Sequence, residues 1–330
     1  MREDRIWNKQ EELICPEIHY RTIGNGIMIT GCYGTDGQVI LPDEIEGKSV
    51  TALAPYTFAM DHEDEGDKIW LGKSADYARE RHRICGEELT EVWLPLQITE
   101  IGRYAFYRCR HLTGLTLADS LLDMGGGALT GCHISNVEIH FLHGKKSCLK
   151  SIVDEMRYQI RAILLYYEEG EEARILFPEH YEEAVENTPA RILVTHHHGA
   201  GGYYRQCFYN WELDYKKYDE MLFHTIAEEE IRTTAELVLN RLMYPYDLGE
   251  KEKKAYQLWL KEHTEEAGRY LVTKEAFAGL AFLGKEGYWT ENAMDSAIEA
   301  ASGEKKTEIL SYLMDEKHKR YPKEKKRFEL

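Results

Sequence analysis

The densest group of residues that could do chemistry lies just past the middle of the chain. Three consecutive histidines, His196 to His198, precede a Gly-Ala-Gly-Gly loop, and Cys207 follows a little later. Imidazole and thiolate groups are ligands of zinc and related metals. Because alternate side chains of a strand share a face, His196 and His198 could bind one ion together. The segment therefore suggests a metal site formed by these two histidines with Cys207, or with His180 in place of the thiol.

The same loop could bind an anion through its backbone amides, with Arg205 close by. However, the loop lacks the Gly-Lys-Ser/Thr ending of a P-loop, and the chain has no CxxC or HExxH spacing. An ordinary turn is the interpretation that we favour. We therefore predict no enzyme, no catalytic residue and no cofactor, and a metal- or anion-binding enzyme centred on 196–207 is the alternative.

Charge and hydropathy narrow the range of partners. The chain has 58 acidic and 41 basic residues, a formal net charge of −17, which repels a phosphate backbone. No stretch approaches the length of apolar sequence that crosses a bilayer. The basic run at 317–327 is typical of a solvated chain end. We expect a protein partner, no nucleic acid and no membrane insertion.

Cysteine usage and the N-terminus predict the compartment. Seven scattered cysteines form no CxxC pair, which indicates reduced thiols. If Met1 is the native start, no apolar run of signal-peptide length follows it, and we expect a cytoplasmic protein. The alternative is a secreted or cell-surface adhesin whose signal peptide has been removed.

An internal repeat predicts the strands that would position any functional side chain. A Leu-x-x-Leu-x-Leu pattern, with Ile or Val in some places, occupies 89–94, 112–117 and 134–139, and a divergent copy occupies 39–42. This pattern is typical of strands whose alternate side chains fill a solenoid core. The segments between them repeat as well, because Phe106 and Cys109 recur as Leu129 and Cys132 at one displacement. These two cysteines are therefore predicted to be core residues and poor nucleophiles.

One copy resembles a known family. Residues 98–112 read Ile-Thr-Glu-Ile-Gly-Arg-Tyr-Ala-Phe-Tyr-Arg-Cys-Arg-His-Leu, and they are similar to the bacterial surface-antigen (BspA-like) leucine-rich repeats. That family is marked by Ile-Gly-x-x-Ala-Phe-x-x-Cys-x-x-Leu and a Leu-Pro ending. The next copy departs from the pattern with Leu129 in place of Phe and Ala118 in place of Pro. The resemblance extends over 20–142 and implies a repeat fold that serves binding or adhesion.

The predicted fold class is α+β, a short leucine-rich-repeat solenoid followed by a mostly α-helical, repeat-like domain. We place the solenoid at 1–143 and the helical domain at 144–330. Hairpin strands within 20–41 would cap the solenoid, and 61–86 would form an insertion loop on one face.

The helical domain is predicted from its apolar spacing. A helix over 149–167 would close the solenoid, and an acidic helix at 179–186 would separate two strands that could pair. Helices dominate after residue 214 and end in a pair that is similar to one ankyrin repeat. The two strands are at 174–177 and 191–195, and the ankyrin-like pair is at 297–301 and 307–314.

Together these features favour a non-enzymatic interaction or scaffold protein with an unidentified protein partner. Tyr and Trp provide large contact areas at interfaces. The predicted interaction residues are accordingly Trp93, Tyr104 and Tyr107 on the solenoid.

Overall fold

A computed structural model describes residues 13–76, 80–187 and 192–322, without the side chains of 74, 76, 185–187 and 192–197. The part of the predicted basic tail beyond residue 322 lies outside these ranges. The chain divides into two compact units, Met1–Tyr218 and Asp219–Leu330. None of the described helices is both long enough and apolar enough to span a membrane.

The first unit is mainly β-structure, with short helices and 3-10 turns. Its strands are β1 (Glu17–Ile23), β2 (Gly26–Gly34), β3 (Gln38–Ile40), β4 (Glu44–Ile45), β5 (Lys48–Leu53), β6 (Lys68–Leu71), β7 (His82–Arg83), β8 (Glu91–Trp93), β9 (Glu100–Ile101), β10 (Gly114–Ala118), β11 (Asn136–Phe141), β12 (Ile160–Tyr166), β13 (Glu171–Phe177), β14 (Tyr181–Asn187), β15 (Ile192–His198), β16 (Phe208–Tyr209) and β17 (Glu212–Leu213). The 3-10 turns include Lys73–Asp76 and Gly86–Glu88, and the helices are α1 (Leu149–Glu155), α2 (Gly201–Tyr204) and α3 (Tyr215–Glu220), within which the first unit ends at Tyr218.

The predicted repeat strands form one sheet, in the order β13-β12-β11-β10-β8-β3, and the run from β3 to β12 is parallel. The register pairs Val39 with Val92, Val92 with Leu115, and Leu115 with Val137. All four side chains are buried, at 2% exposure or less. The stacked coils predicted from the repeat spacing are therefore confirmed, in the register that the sequence alignment requires.

A second sheet has the order β4-β5-β2-β1-β6, with β7 paired to β2 and β9 paired to β5. β1 and β2 form the predicted N-terminal hairpin, and Leu53 of β5 pairs with Ile101 of β9 as the repeat alignment requires. The insertion at 61–86 is more than the predicted loop, because β6 pairs with β1 and β7 with β2. The edge strands of an isolated hairpin have backbone N–H and C=O groups without partners. The short strands β6 and β7 form hydrogen bonds with these groups.

The turns of successive coils pack in contact. Phe58 and Phe106 are fully buried and stack with ring centroids 5.3 Å apart. The Cys109 thiol donates to the Phe58 carbonyl oxygen at 3.4 Å, and the Cys132 thiol donates to that of Phe106 at 3.0 Å. A Cβ built on Gly102 would overlap the backbone of Pro55 in the preceding coil. The Ile-Gly-x-x-Ala-Phe-x-x-Cys pattern is thus the set of contacts that one coil makes with the next.

The helix predicted over 149–167 is wrong beyond its first part. α1 ends at Glu155, and Ile160–Tyr166 forms β12, which pairs in parallel with β11. Burial alternates along β12 with a period of two, which is the mark of a strand. The helix prediction failed here because a dense run of apolar residues fits the helical period as well as the strand period. The sheet therefore continues beyond residue 143, through β12 and β13.

The acidic helix predicted at 179–186 is also wrong. Residues Tyr181–Asn187 form β14, which pairs antiparallel with β15 (Ile192–His198). The two predicted strands do exist, but they belong to different sheets, because β13 pairs with β12 and β15 pairs with β14. Pairing between neighbouring segments has overridden the helix propensity of the glutamates.

The second unit is helical, as the apolar spacing after residue 214 predicts. Its helices are α4 (Leu222–Glu228), α5 (Ile231–Met243), α6 (Glu250–Glu262), α7 (Thr264–Thr273), α8 (Phe277–Lys285), α9 (Glu291–Gly303) and α10 (Thr307–Arg320). Helix α7 packs on α8 and α9, and α9 packs on α10.

Two of its helical hairpins are joined by the same turn. Glu275 and Lys305 both have a left-handed backbone, with φ of 53° and 59°. In each turn the next amide reaches back to a carbonyl of the preceding helix at 2.9 Å, Ala276 to Leu271 and Lys306 to Ala301. This arrangement is a Schellman cap, which satisfies carbonyl groups that the helix end leaves open. Helices α7 and α9 therefore end in the same way.

Candidate interaction surface

The outward face of the parallel sheet is the first candidate surface. The apolar residues of the repeat pattern point into the core of the solenoid. The residues that alternate with them on each strand therefore point outward. The register aligns these residues in one row across the sheet, and each is half-buried. We call them the sheet-face row: Ile40, Trp93, Thr116, Glu138 and Ile163.

A second row runs beside the first and is more polar. Gln38 and Asn136 are exposed, while Glu91 and Arg161 are half-buried. The row also contains Gly114, on which a Cβ would meet Glu91 Cγ at 3.0 Å. Three apolar side chains of the sheet-face row are thus bordered by polar groups, an arrangement that protein interfaces share.

Close polar contacts fix the side chains at the far end of this face. Glu138 Oε1 lies 3.0 Å from His140 Nε2, and Arg174 Nε donates to Glu172 Oε1 at 2.8 Å. The ring of His140 stacks on Tyr167, with centroids 5.9 Å apart. The face therefore presents ordered charges of both signs instead of a field of one sign.

The three predicted interaction residues do not form one surface. Trp93 lies on β8 in the sheet-face row, whereas Tyr104 and Tyr107 lie in the turn that follows β9. There Tyr104 stacks on Tyr56 at 5.4 Å and meets Tyr107 edge-on at 5.5 Å. Sequence analysis missed Ile40 and Ile163, although their place beside the consensus apolar positions was a signal that could have found them.

The histidine segment lies on the β14–β15 hairpin. His198 Nε2 is 3.4 Å from Glu183 Oε2, and its ring stacks on Tyr181 with centroids 4.5 Å apart. Cys207 is buried, and its thiol donates to the Tyr203 carbonyl oxygen at 3.4 Å. The side chain of His196 lies outside the described residues. Within the described part of the chain, no three His, Cys, Asp or Glu side chains converge as metal ligands, and the metal site stays a prediction.

Arg205, the predicted anion ligand, has a structural role instead. The residue is 5% exposed, and its guanidinium donates to the carbonyl oxygens of Val153, Met156, Tyr158, Pro178 and Gly201 at 2.7 to 3.1 Å. Burial lowers the pKa of Arg205 to about 10. Two of its acceptors are at the end of α1, where helix carbonyls lack intrahelical partners. The side chain therefore ties this helix end to the strands instead of facing a ligand.

The buried cysteines are equally poor candidates for nucleophiles. All seven cysteines are described and are free thiols. Burial raises the pKa of Cys132 to about 12 and that of Cys109 further still. Because the thiolate is the reactive form, neither thiol is activated. The prediction that both are core residues is confirmed.

Comparison with known proteins identifies the repeat type. The family model described as BspA type leucine rich repeat region (6 copies) matches residues 82–156. This segment runs from β7 to just past α1, so it contains three strands of the parallel sheet. No curated protein and no solved structure matches the chain. The register shows that the coil containing β3, which lies outside the matched segment, continues the same stack.

Proposed function

We propose that this protein recognises a protein partner through the sheet-face row, with Trp93 as the central anchor. Repeats of this type suggest interaction or adhesion. The observation that carries the proposal is the alignment of Ile40, Trp93 and Ile163 on one continuous, half-buried face. Solenoids present extended surfaces of this kind, and a buried tryptophan commonly dominates the binding energy of an interface.

The test compares partner capture by matched variants. Trp93→Thr and Ile163→Thr remove two apolar groups, and threonine suits a strand because Thr116 already occupies this row. Tyr209→Thr is the control, since Tyr209 is 81% exposed on β16 and outside the sheet face. Each variant is used as bait in a native lysate, and bound proteins are quantified by mass spectrometry.

We expect one stoichiometric protein that the wild type and Tyr209→Thr retain and that Trp93→Thr and Ile163→Thr lose. Recovery of the same protein by all four baits would contradict the proposal. So would the absence of any stoichiometric protein while the wild-type chain is monodisperse.

We also infer that the C-terminal hairpins are ankyrin-like repeats. The shared turn of α7–α8 and α9–α10 supports this, as does the close packing of small residues between α7 and α9. Ala267 and Ala297 are fully buried, and a Cβ on Gly268 would lie 3.7 Å from the Cβ of Ala297. Stacked hairpins of this kind bury a continuous core between neighbours, which fits a second recognition unit.

A further inference from the structure

The second unit contains an apolar groove between α4 and α6. Its walls carry three large exposed side chains: Phe223 at 60%, Ile226 at 50% and Leu258 at 59% exposure. Leu222 and Trp259 are buried at its base, at 7% and 6%. The open volume is about 400 Å³, which is in the range of sites that bind side chains or small molecules.

The helices that form the groove carry apolar side chains on their outer faces as well as on the faces that pack in the core. On α4, Leu222 and Thr225 point into the core, so Phe223 and Ile226 form a second apolar face that is directed outward. Helix α6 similarly buries Tyr256 while leaving Leu258 exposed. A surface helix ordinarily keeps its outer face polar, and a clustered apolar patch marks a contact site.

The charges around the groove are mostly negative. Glu220, Glu252 and Glu262 line it, together with one cation, Lys251. Lys251 Nζ is 3.7 Å from Glu252 Oε1, so part of its charge is already compensated. Asp219, which also lines the groove, is buried and neutralised by an arginine. The rim therefore favours a cationic partner.

The groove is held in shape by a buried ion pair. Asp219 accepts from Arg241 Nε at 2.7 Å and from Arg241 Nη2 at 2.8 Å, and the Tyr256 hydroxyl donates to it at 2.9 Å. Both charged side chains are fully buried. These bonds link the segment before α4 to α5 and α6. A wall fixed in this way loses little entropy when a ligand binds.

We infer that this groove binds an amphipathic helix of a partner protein, with apolar residues on one face and Lys or Arg beside them. A helix in a groove is anchored by residues at i, i+3, i+4 and i+7. The groove extends along α6 from Lys251 to Glu262, which at 1.5 Å per residue is about 16 Å, or three helical turns. Leucines of the partner contact Phe223 and Leu258, and its cations pair with the rim glutamates.

The probe is a synthetic, fluorescein-labelled peptide with leucines at the i, i+3, i+4 and i+7 positions and lysines elsewhere. Its binding to the full chain is followed by fluorescence anisotropy. The protein variants are Phe223→Asp and Leu258→Asp, and the control is Met314→Asp, because Met314 is 57% exposed on α10. A peptide with glutamate in place of every lysine tests the charge requirement.

We expect saturable one-to-one binding that weakens at least tenfold in both groove variants, is unchanged in Met314→Asp and is absent for the glutamate peptide. Aspartate adds negative charge, so binding driven by surface charge alone would be as tight or tighter in the groove variants. That result would overturn the inference. A chain that self-associates, and that Leu258→Asp dissociates in sedimentation velocity, would equally overturn it, because the groove would then be an interface between copies.

Discussion

Replacing Phe106 with alanine removes the contact that best characterises the stacked coils. Phe106 is fully buried, and its ring stacks on Phe58 at 5.3 Å with an interplanar angle of 7°. Truncating a core phenylalanine to alanine costs about 3–5 kcal/mol, and this range includes the cavity that remains. Because Phe58 also loses a stacked partner, we expect Phe106→Ala to lower the free energy of unfolding by about 4 kcal/mol.

A matched control comes from the chain itself. Leu129 occupies the equivalent position of the next coil and is fully buried there. The coil therefore accommodates leucine, and Phe106→Leu should cost less than about 1.5 kcal/mol. The difference between the unfolding free energies of the two variants separates loss of packing from a general intolerance to substitution at this position.

The assay is urea unfolding followed by circular dichroism, with hydrogen exchange of the β8, β10 and β11 amides to locate the effect in the first unit. We expect faster exchange of these amides in Phe106→Ala and little change in α9 and α10. A cost below about 1 kcal/mol for alanine would refute the stacked-coil packing, because core truncations cost more. Equal costs for leucine and alanine would refute the equivalence of the two positions.

Three further predictions follow from close contacts and burial. Gly102→Ala should destabilise the first unit by about 1–3 kcal/mol in urea unfolding, whereas Gly126→Ala should not, because a Cβ there meets nothing within 4 Å. Arg205→Lys should lower the melting temperature, since an ammonium cannot reproduce the guanidinium's bonds to five carbonyls. At pH 8 a thiol reagent should label the half-buried Cys85 slowly in the native protein, because burial raises its pKa, but faster than the six buried cysteines, and it should label all seven in urea. Labelling of Cys132, which is buried and whose pKa is raised to about 12, should stay slow at pH 8 while the protein is folded.

The coils could be predicted from sequence because their register follows from a repeated spacing. Val92 and Leu115 occupy equivalent positions in two copies, and the structure pairs them directly. The last parallel strand was not predictable in this way, since Ile160, Ile163 and Leu164 satisfy the helical period as well as the strand period. Ile163 was consequently absent from the predicted surface.

The remaining differences between the sequence predictions and the structure arise because the sequence does not fix where each segment lies in the fold. Trp93 could be nominated from its residue type, but its separation from Tyr104 depends on where each segment lies in the coil. The groove of the second unit was not predictable, because Phe223 and Leu258 are on helices that are not adjacent in sequence. No local spacing links these two side chains.

The central claim is that Trp93, Thr116 and Glu138 lie side by side on one parallel sheet. Cross-linking of engineered cysteines tests it most directly, in a Cys85→Ser background so that no half-buried native thiol competes. Thr116 pairs with Glu138, so their Cα atoms should be about 5 Å apart, within the range of a disulfide. Asn136 is two residues earlier on the same face, and its Cα should be about 8 Å from that of Thr116, which is too far for a disulfide.

Mild oxidation followed by non-reducing peptide mapping measures both pairs. We predict rapid, near-complete bond formation in Thr116→Cys/Glu138→Cys and little in Thr116→Cys/Asn136→Cys. Equal cross-linking of the two pairs, or preferential cross-linking of the second, would contradict the register and with it the proposed binding face.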